Sequence, residues 1–177
     1  MGKRAAAAEE TRRRIVDATH QLHTERGVAA TSWDDIAARA GVGVGTVYRH
    51  FPSLDELIPA CEAVALEVVG LPDPAARDAL FEGAEDRAGA RVREGGGMYV
   101  RGAPELRAMI DAGDVHPRLR QGAEAFDATL GGLIDAAALG GDRRVVRALL
   151  DLHSWEALRR QGLTAEEAVA AVTALLR

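Results

Sequence analysis

A chain of 177 residues, 47% of them hydrophobic, has enough apolar material to bury a core, and its single cysteine, Cys61, excludes an internal disulfide and leaves a thiolate metal site without ligands. Only 4% of residues are aromatic, Ala and Leu dominate, and alternating β-branched runs are scarce, which disfavours a sheet and points to an all-α fold. The net charge of −5 is unevenly spread: residues 1–57 carry eight Lys/Arg against eight Asp/Glu and the remainder fourteen against nineteen, so any surface for a polyanion must lie in the first third.

The chain has no run of eighteen apolar residues and so no expected membrane span. The opening "MGKRAAAAEETRRR" lacks the apolar centre of a signal peptide, and the expectation is a cytoplasmic protein with no membrane partner. Five histidines and scattered carboxylates show neither metal-ligand spacing nor a nucleophile–base pair, so no enzyme, metal or cofactor is expected.

About nine helices follow from the apolar spacing. The first runs through Ile15, Ala18, Thr19 and Leu22 and stops at Gly27; Cys61 falls on a later apolar stripe and reads as a buried small hydrophobe. Thr31 or Ser32 offers an N-cap, Ser32 with Asp35 forming a weak capping box in which Asp replaces the usual Glu, for a short helix that Gly41 ends. A second short helix spans about Val44 to Phe51, closed by Pro52, and Ser53 caps a longer one to about residue 70. "GLPDP" (70–74) is the clearest break. Beyond it the pattern predicts a helix through Leu80, Phe81, Ala84, Ala88 and Val92, with Gly95–Gly97 either ending or weakening it. Pro104 suits the first turn of another helix, and Pro117 opens one to about Leu139. A single helix is expected from residue 142 through Leu158, then a last one opened by a Thr164–Glu167 capping box.

"TSWDDIAARAGVGVGTVYRHF" has the layout of a helix-turn-helix, two short helices joined at about 90–120° by a glycine-containing turn. Ile36, Ala37, Ala40, Val42, Val47 and Phe51 make an apolar set that holds the pair together. What remains on the second helix is Val44, Gly45, Thr46, Tyr48, Arg49 and His50, little bulk at the tip and phosphate donors at the sides, as a major groove requires. Arg12, Arg13 and Arg14 read as a solvated face, His20 and His23 as packing residues.

The stretch "TSWDDIAARAGVGVGTVYRHFPSLDEL", with "RRRIVDATHQLHTERG" before it, resembles the DNA-binding domain of the TetR (tetracycline-repressor) family of bacterial regulators over about residues 11–57. The resemblance implies a DNA-binding domain at 1–53 and an effector-binding and dimerisation domain at 54–177. It implies DNA contact by Thr46, Tyr48 and His50, base preference set by Val44, Gly45 and Arg49, phosphate contact by Ser32 or Trp33, and a mobile basic arm at Lys3 and Arg4. Three positions depart from the family pattern: Gly43 where serine is frequent, His23 where phenylalanine is, and Leu54 where lysine is. Asp34 adds a negative charge on the side that would face DNA.

The resemblance also implies a homodimer, a double-stranded DNA operator and a small-molecule effector that releases it. Val146, Leu149, Leu150, Val169, Val172, Leu175 and Leu176 form the expected dimer seam. Phe81, Met98, Tyr99, Met109, His116, Phe126 and Trp155 are the candidate effector contacts. The alternative is a helical dimeric interaction protein whose helix-turn-helix has lost DNA.

Overall fold

The computed structural model describes every residue except 1, 72–77, 138 and 177, and among the described residues it has nine α-helices and no strand. These are α1 (Lys3–Arg26), α2 (Trp33–Ala40), α3 (Val44–His50), α4 (Leu54–Val69), α5 (Arg87–Asp111), α6 (Pro117–Ala137), α7 (Arg143–Leu149), α8 (Leu152–Arg160) and α9 (Ala165–Leu175), with a 3-10 turn at Asp78–Phe81. The protein is all-α. Part of the break expected at 70–74 lies outside the described residues.

Two compact units divide the chain: Met1–Val68 with Arg107–Gly122, and Val69–Leu106 with Ala123–Arg177. The first therefore extends past residue 53, because α4 contributes core to it.

In the first unit α1 buries Ile15, Val16, Ala18, Thr19 and Leu22 as one stripe. Against it sit Ile36, Ala37 and Ala40 from α2, Val47 and Phe51 from α3, and Leu57 and Cys61 from α4. Phe51 and Val47 are both fully buried, and full burial of side chains of this size contributes about 1.5–3 kcal/mol each. Ile58, Ala112 and Leu119 form a smaller cluster, with Val28 packed on it. Cys61 is a free, buried thiol whose pKa burial raises to about 12, so it stays protonated and inert.

In the second unit the glycine run does not break α5. Each of its three glycines meets a different neighbour. A Cβ on Gly95 would come 2.7 Å from an Arg91 nitrogen, one on Gly96 2.9 Å from the Trp155 ring, and one on Gly97 3.1 Å from an Arg101 nitrogen. The break falls later, at Gly102, whose backbone (φ −130°, ψ 27°) leaves the helical region where it packs directly on Val69. Pro104 then occupies the first turn of the continuing segment, where its missing N–H costs little.

Two helical expectations are corrected. Leu80 and Phe81 belong to the 3-10 turn, and the helix through Val92 starts only at Arg87. The expected helix through Leu158 is two helices, because Asp151 has extended backbone (φ −80°, ψ 151°) and its carboxylate accepts from the His153 N–H, capping α8. Val92, Ile134, Val146, Leu150 and Val172 form the main core of this unit, with Phe81, Leu133 and Ala137 as a second cluster. Val146, Leu150 and Val172, assigned to a dimer seam from the sequence, are thus interior residues of the unit itself. Leu149, Val169 and Leu176 are half-buried against the same cluster. Leu175 alone of the seven stands out, 69% exposed.

Candidate nucleic-acid interface

The α2–α3 pair is fixed at both ends of its first helix. At the N-terminus the Ser32 hydroxyl accepts from the Asp35 N–H, and the Asp35 carboxylate accepts from the Ser32 N–H at 3.1 Å. The shorter Asp side chain therefore still closes the box. Arg26 adds an ion pair to the same carboxylate at 2.7 Å. The Ser32 hydroxyl, the Ser32 backbone N–H and Arg26, in that order of effect, hold the Asp35 carboxyl down at about 2.

At the C-terminus Gly41 takes the left-handed conformation (φ 65°), and the Val42 N–H returns to the Ala37 carbonyl at 3.0 Å. Arg14, reaching from α1, donates to the carbonyls of Ala40 and Gly41. This side chain read as part of a solvated face, and it is instead a cap on α2. Its neighbours differ. Arg13 pairs with Glu10 at the surface, and Arg12 stacks 4.5 Å above the Phe51 ring. Gly43 begins α3 with extended backbone and no side-chain cap, as a glycine there must.

The second helix presents two chemically distinct sides. Val47 and the capping Phe51 face inward. Val44, Gly45, Tyr48 and Arg49 are exposed, Thr46 and His50 half-buried. Trp33, half-buried in the first turn of α2, places its ring 5.0 Å from that of Tyr48. Ser32 and Asp34 are exposed. Arg39 is already matched by a two-pronged pair with Glu25, whereas Arg49 has no ion-pair partner among the described residues. Lys3 and Arg4 lie in the first turn of α1 and so continue that helix rather than forming a separate arm.

The seven candidate effector contacts do not gather in one place. Met109 and His116 fall in the first unit, where His116 lies 3.9 Å from Asp55. Phe81, Met98, Tyr99, Phe126 and Trp155 are buried in the second. Tyr99 and Trp155 have ring centroids 6.0 Å apart, and the Tyr99 hydroxyl donates to the Leu150 carbonyl. A cleft of about 600 Å³ in this unit is walled by Trp155, Gly96, Gly97, Val100, Arg101 and Val169. Of the seven candidates only Trp155 lines it. Gly96 was not among the expected contacts, although a glycine inside an apolar helical stripe is a signal of close packing.

A capped short helix, a left-handed glycine turn and a second helix with an apolar inner side and a polar outer one define a helix-turn-helix protein of the DNA-binding class. Residues 15–61 match the family described as bacterial regulatory proteins, tetR family. The chain is 34% identical over 142 residues to the HTH-type transcriptional repressor Rv3405c of Mycobacterium tuberculosis, covering 76% of this chain and 71% of that protein. It is 47% identical over 58 residues to the regulator SrpR of Pseudomonas putida, a match that spans 33% of this chain and 27% of SrpR. The solved structure of the multidrug binding protein EbrR, complexed with imidazole, superposes with a TM-score of 0.64 at 26% identity, covering 94% of this chain and 89% of that one. The TetR-like regulator LfrR of Mycobacterium smegmatis, in complex with proflavine, shares the fold at a TM-score of 0.60 and 23% identity, with 96% of each chain covered. The chain belongs to the TetR family of DNA-binding transcriptional regulators.

Proposed function

We propose that the protein is a homodimeric repressor, released from its operator by a small molecule that binds in the second unit. The observation that carries this reading is the exposed row Val44, Gly45, Tyr48 and Arg49 on a helix anchored from within by the fully buried Val47 and its capping Phe51. Each protomer lays α3 into one of two successive major grooves, about 34–36 Å apart on one face of the duplex. Thr46, Tyr48 and His50 meet backbone or bases, Val44, Gly45 and Arg49 set base preference, and Ser32 or Trp33 meets phosphate at the start of α2. Lys3 and Arg4 add positive charge from the end of α1. Residues 1–53 read DNA, with α4 completing the core beneath them, and effector and partner are held within 54–177, the effector in the second unit.

Release follows from linkage. An effector that favours a conformer with a different α3 spacing weakens DNA binding by the factor by which DNA weakens the effector. Repression as the outcome is supported by the likeness to Rv3405c, and a ligand-binding second unit by the complexes of EbrR and LfrR.

A mobility-shift titration with the DNA upstream of the chain's own gene, at several salt concentrations, tests the reading. A saturable, sequence-selective shift with a modest salt slope is expected, because few cations face the duplex. Exposed Leu54 and Asp34, where phosphate would be met, favour the second reading of a helical interaction protein that no longer binds DNA. Equal, weak binding to unrelated duplexes establishes that reading in place of the first.

A further inference from the structure

Among the described residues Arg91 is the largest fully buried side chain, with 0% of its surface exposed. Its Nε, Nη1 and Nη2 have no hydrogen-bond partner among those residues. Such a group is rare, because buried charges are ordinarily paired and a guanidinium does not escape by losing its proton. Its surroundings on α5 offer no relief. The Tyr99 hydroxyl is committed to the Leu150 carbonyl, and Glu94 acts on Arg91 only as a more distant charge. Gly95 makes room for the guanidinium one turn along, since a Cβ there would approach Nη1 to 2.7 Å. Burial lowers the pKa of this arginine, with Tyr99 and Glu94 opposing, which records the same uncompensated charge. Val92 and Met98, within about two turns of Arg91 on the same helix, are also buried, so this stretch of α5 is largely apolar.

We propose that the second unit takes a small organic acid with an apolar body, whose carboxylate pairs with the planar fork of Arg91. Two oxygens of a carboxylate match two parallel N–H donors of a guanidinium. The bound acid supplies the charge that the chain withholds, and its apolar body suits the apolar stretch of α5 around Arg91. This deepens the effector reading above and rests on it: the effector is an anion that pairs with the buried cation.

The test is thermal melting of the full chain without DNA. Benzoate and octanoate are the probes, benzamide and octanamide their neutral counterparts, and inorganic phosphate the control. At a hundredfold excess over Kd the matching acid raises Tm by about 5–10 °C while its amide does not. Without any acid, Arg91→Met melts higher than the wild type, because the uncompensated charge is gone, and it ignores all probes. Arg91→Lys keeps the charge without the fork and loses most of the shift. A lower Tm for Arg91→Met shows that the chain already neutralises the guanidinium and overturns the inference. So does equal stabilisation by acid and amide, stabilisation by phosphate alone, a full response in Arg91→Lys, or no response to either acid. Operator binding is read separately by mobility shift: if it is intact while the acid response is flat, this inference alone falls, and if it is absent, the regulator reading falls.

Discussion

The rings of Trp33 and Tyr48 lie 5.0 Å apart, tilted by 32°, and tie the first turn of α2 to the exposed side of α3 across the glycine turn. Offset aromatic pairs of this kind contribute about 0.5–1.5 kcal/mol beyond the area they bury. The contact holds Tyr48 in one orientation while leaving much of the ring and its hydroxyl outward. Tyr48→Ala is expected to weaken operator binding by about tenfold or more while the helical circular dichroism stays at the wild-type value. Tyr48→Phe keeps the ring pair and isolates the hydroxyl. Undiminished affinity in Tyr48→Ala removes α3 from the interface.

Arg14 and Arg13 are adjacent in sequence and do unlike things. Arg14 donates to two carbonyls at the end of α2, groups that the helix itself leaves unpaired. Arg13 pairs with Glu10 in the open, where such pairs contribute little. Arg14→Ala is therefore expected to destabilise the chain by about 1 kcal/mol and to loosen the α2–α3 turn, lowering DNA affinity as well. Arg13→Ala should leave chemical-denaturation midpoints unchanged. Equal effects of the two substitutions would show that the cap contributes nothing.

The helix-turn-helix was legible because its signals are local. Ser32, Asp35, Gly41 and the inward Ile36, Ala37, Ala40, Val47 and Phe51 all act within one short stretch of chain, and each has a single structural use there. The second unit was less legible because its decisive contacts join residues far apart in sequence. Met98 and Tyr99 read equally well as cavity wall or core, and only the packing of other helices on α5 buries them. Val146, Leu150 and Val172 show why an apolar stripe does not say which neighbour covers it: the same spacing serves a dimer seam or the unit's own core. Asp151 passed as an ordinary helical residue until its extended backbone revealed a cap. Arg91 was invisible because arginine is read as a surface residue by default.

His23 makes stability depend on pH in a stated direction. Burial, and secondarily the neighbouring His20, lower its pKa to about 4 from the ordinary 6.5. In the unfolded chain the ring takes a proton near 6.5, and in the folded chain not until about 4. Its contribution is thus complete above 6.5 and declines as pH falls through that window, by up to about 3 kcal/mol. His23→Phe, which cannot titrate, is expected to flatten this part of the profile. The check is the urea midpoint of both proteins at about pH 7 and about pH 5: a parallel decline in the two would assign the dependence to other groups.

Gly96 and Gly97, neighbours on α5, should respond oppositely to alanine. Alanine in place of a helical glycine gains about 1 kcal/mol of intrinsic propensity. At Gly97 the new methyl meets only Nη1 of Arg101, at 3.1 Å, which need give by a few tenths of an ångström while Nε and Nη2 keep the Val69 carbonyl, so Gly97→Ala is expected to raise Tm slightly. At Gly96 it would press to 2.9 Å on the Trp155 ring and 3.2 Å on Val169, both held in place by surrounding helices. Overpacking of that kind costs about 1–3 kcal/mol, which exceeds the propensity gain, so Gly96→Ala is expected to lower Tm. The chain has two tryptophans, Trp33 and Trp155, so a Trp33→Phe background makes Trp155 the sole reporter of the second unit. In that background Gly96→Ala should shift the emission of Trp155 and Gly97→Ala should not, since only the first methyl touches the indole.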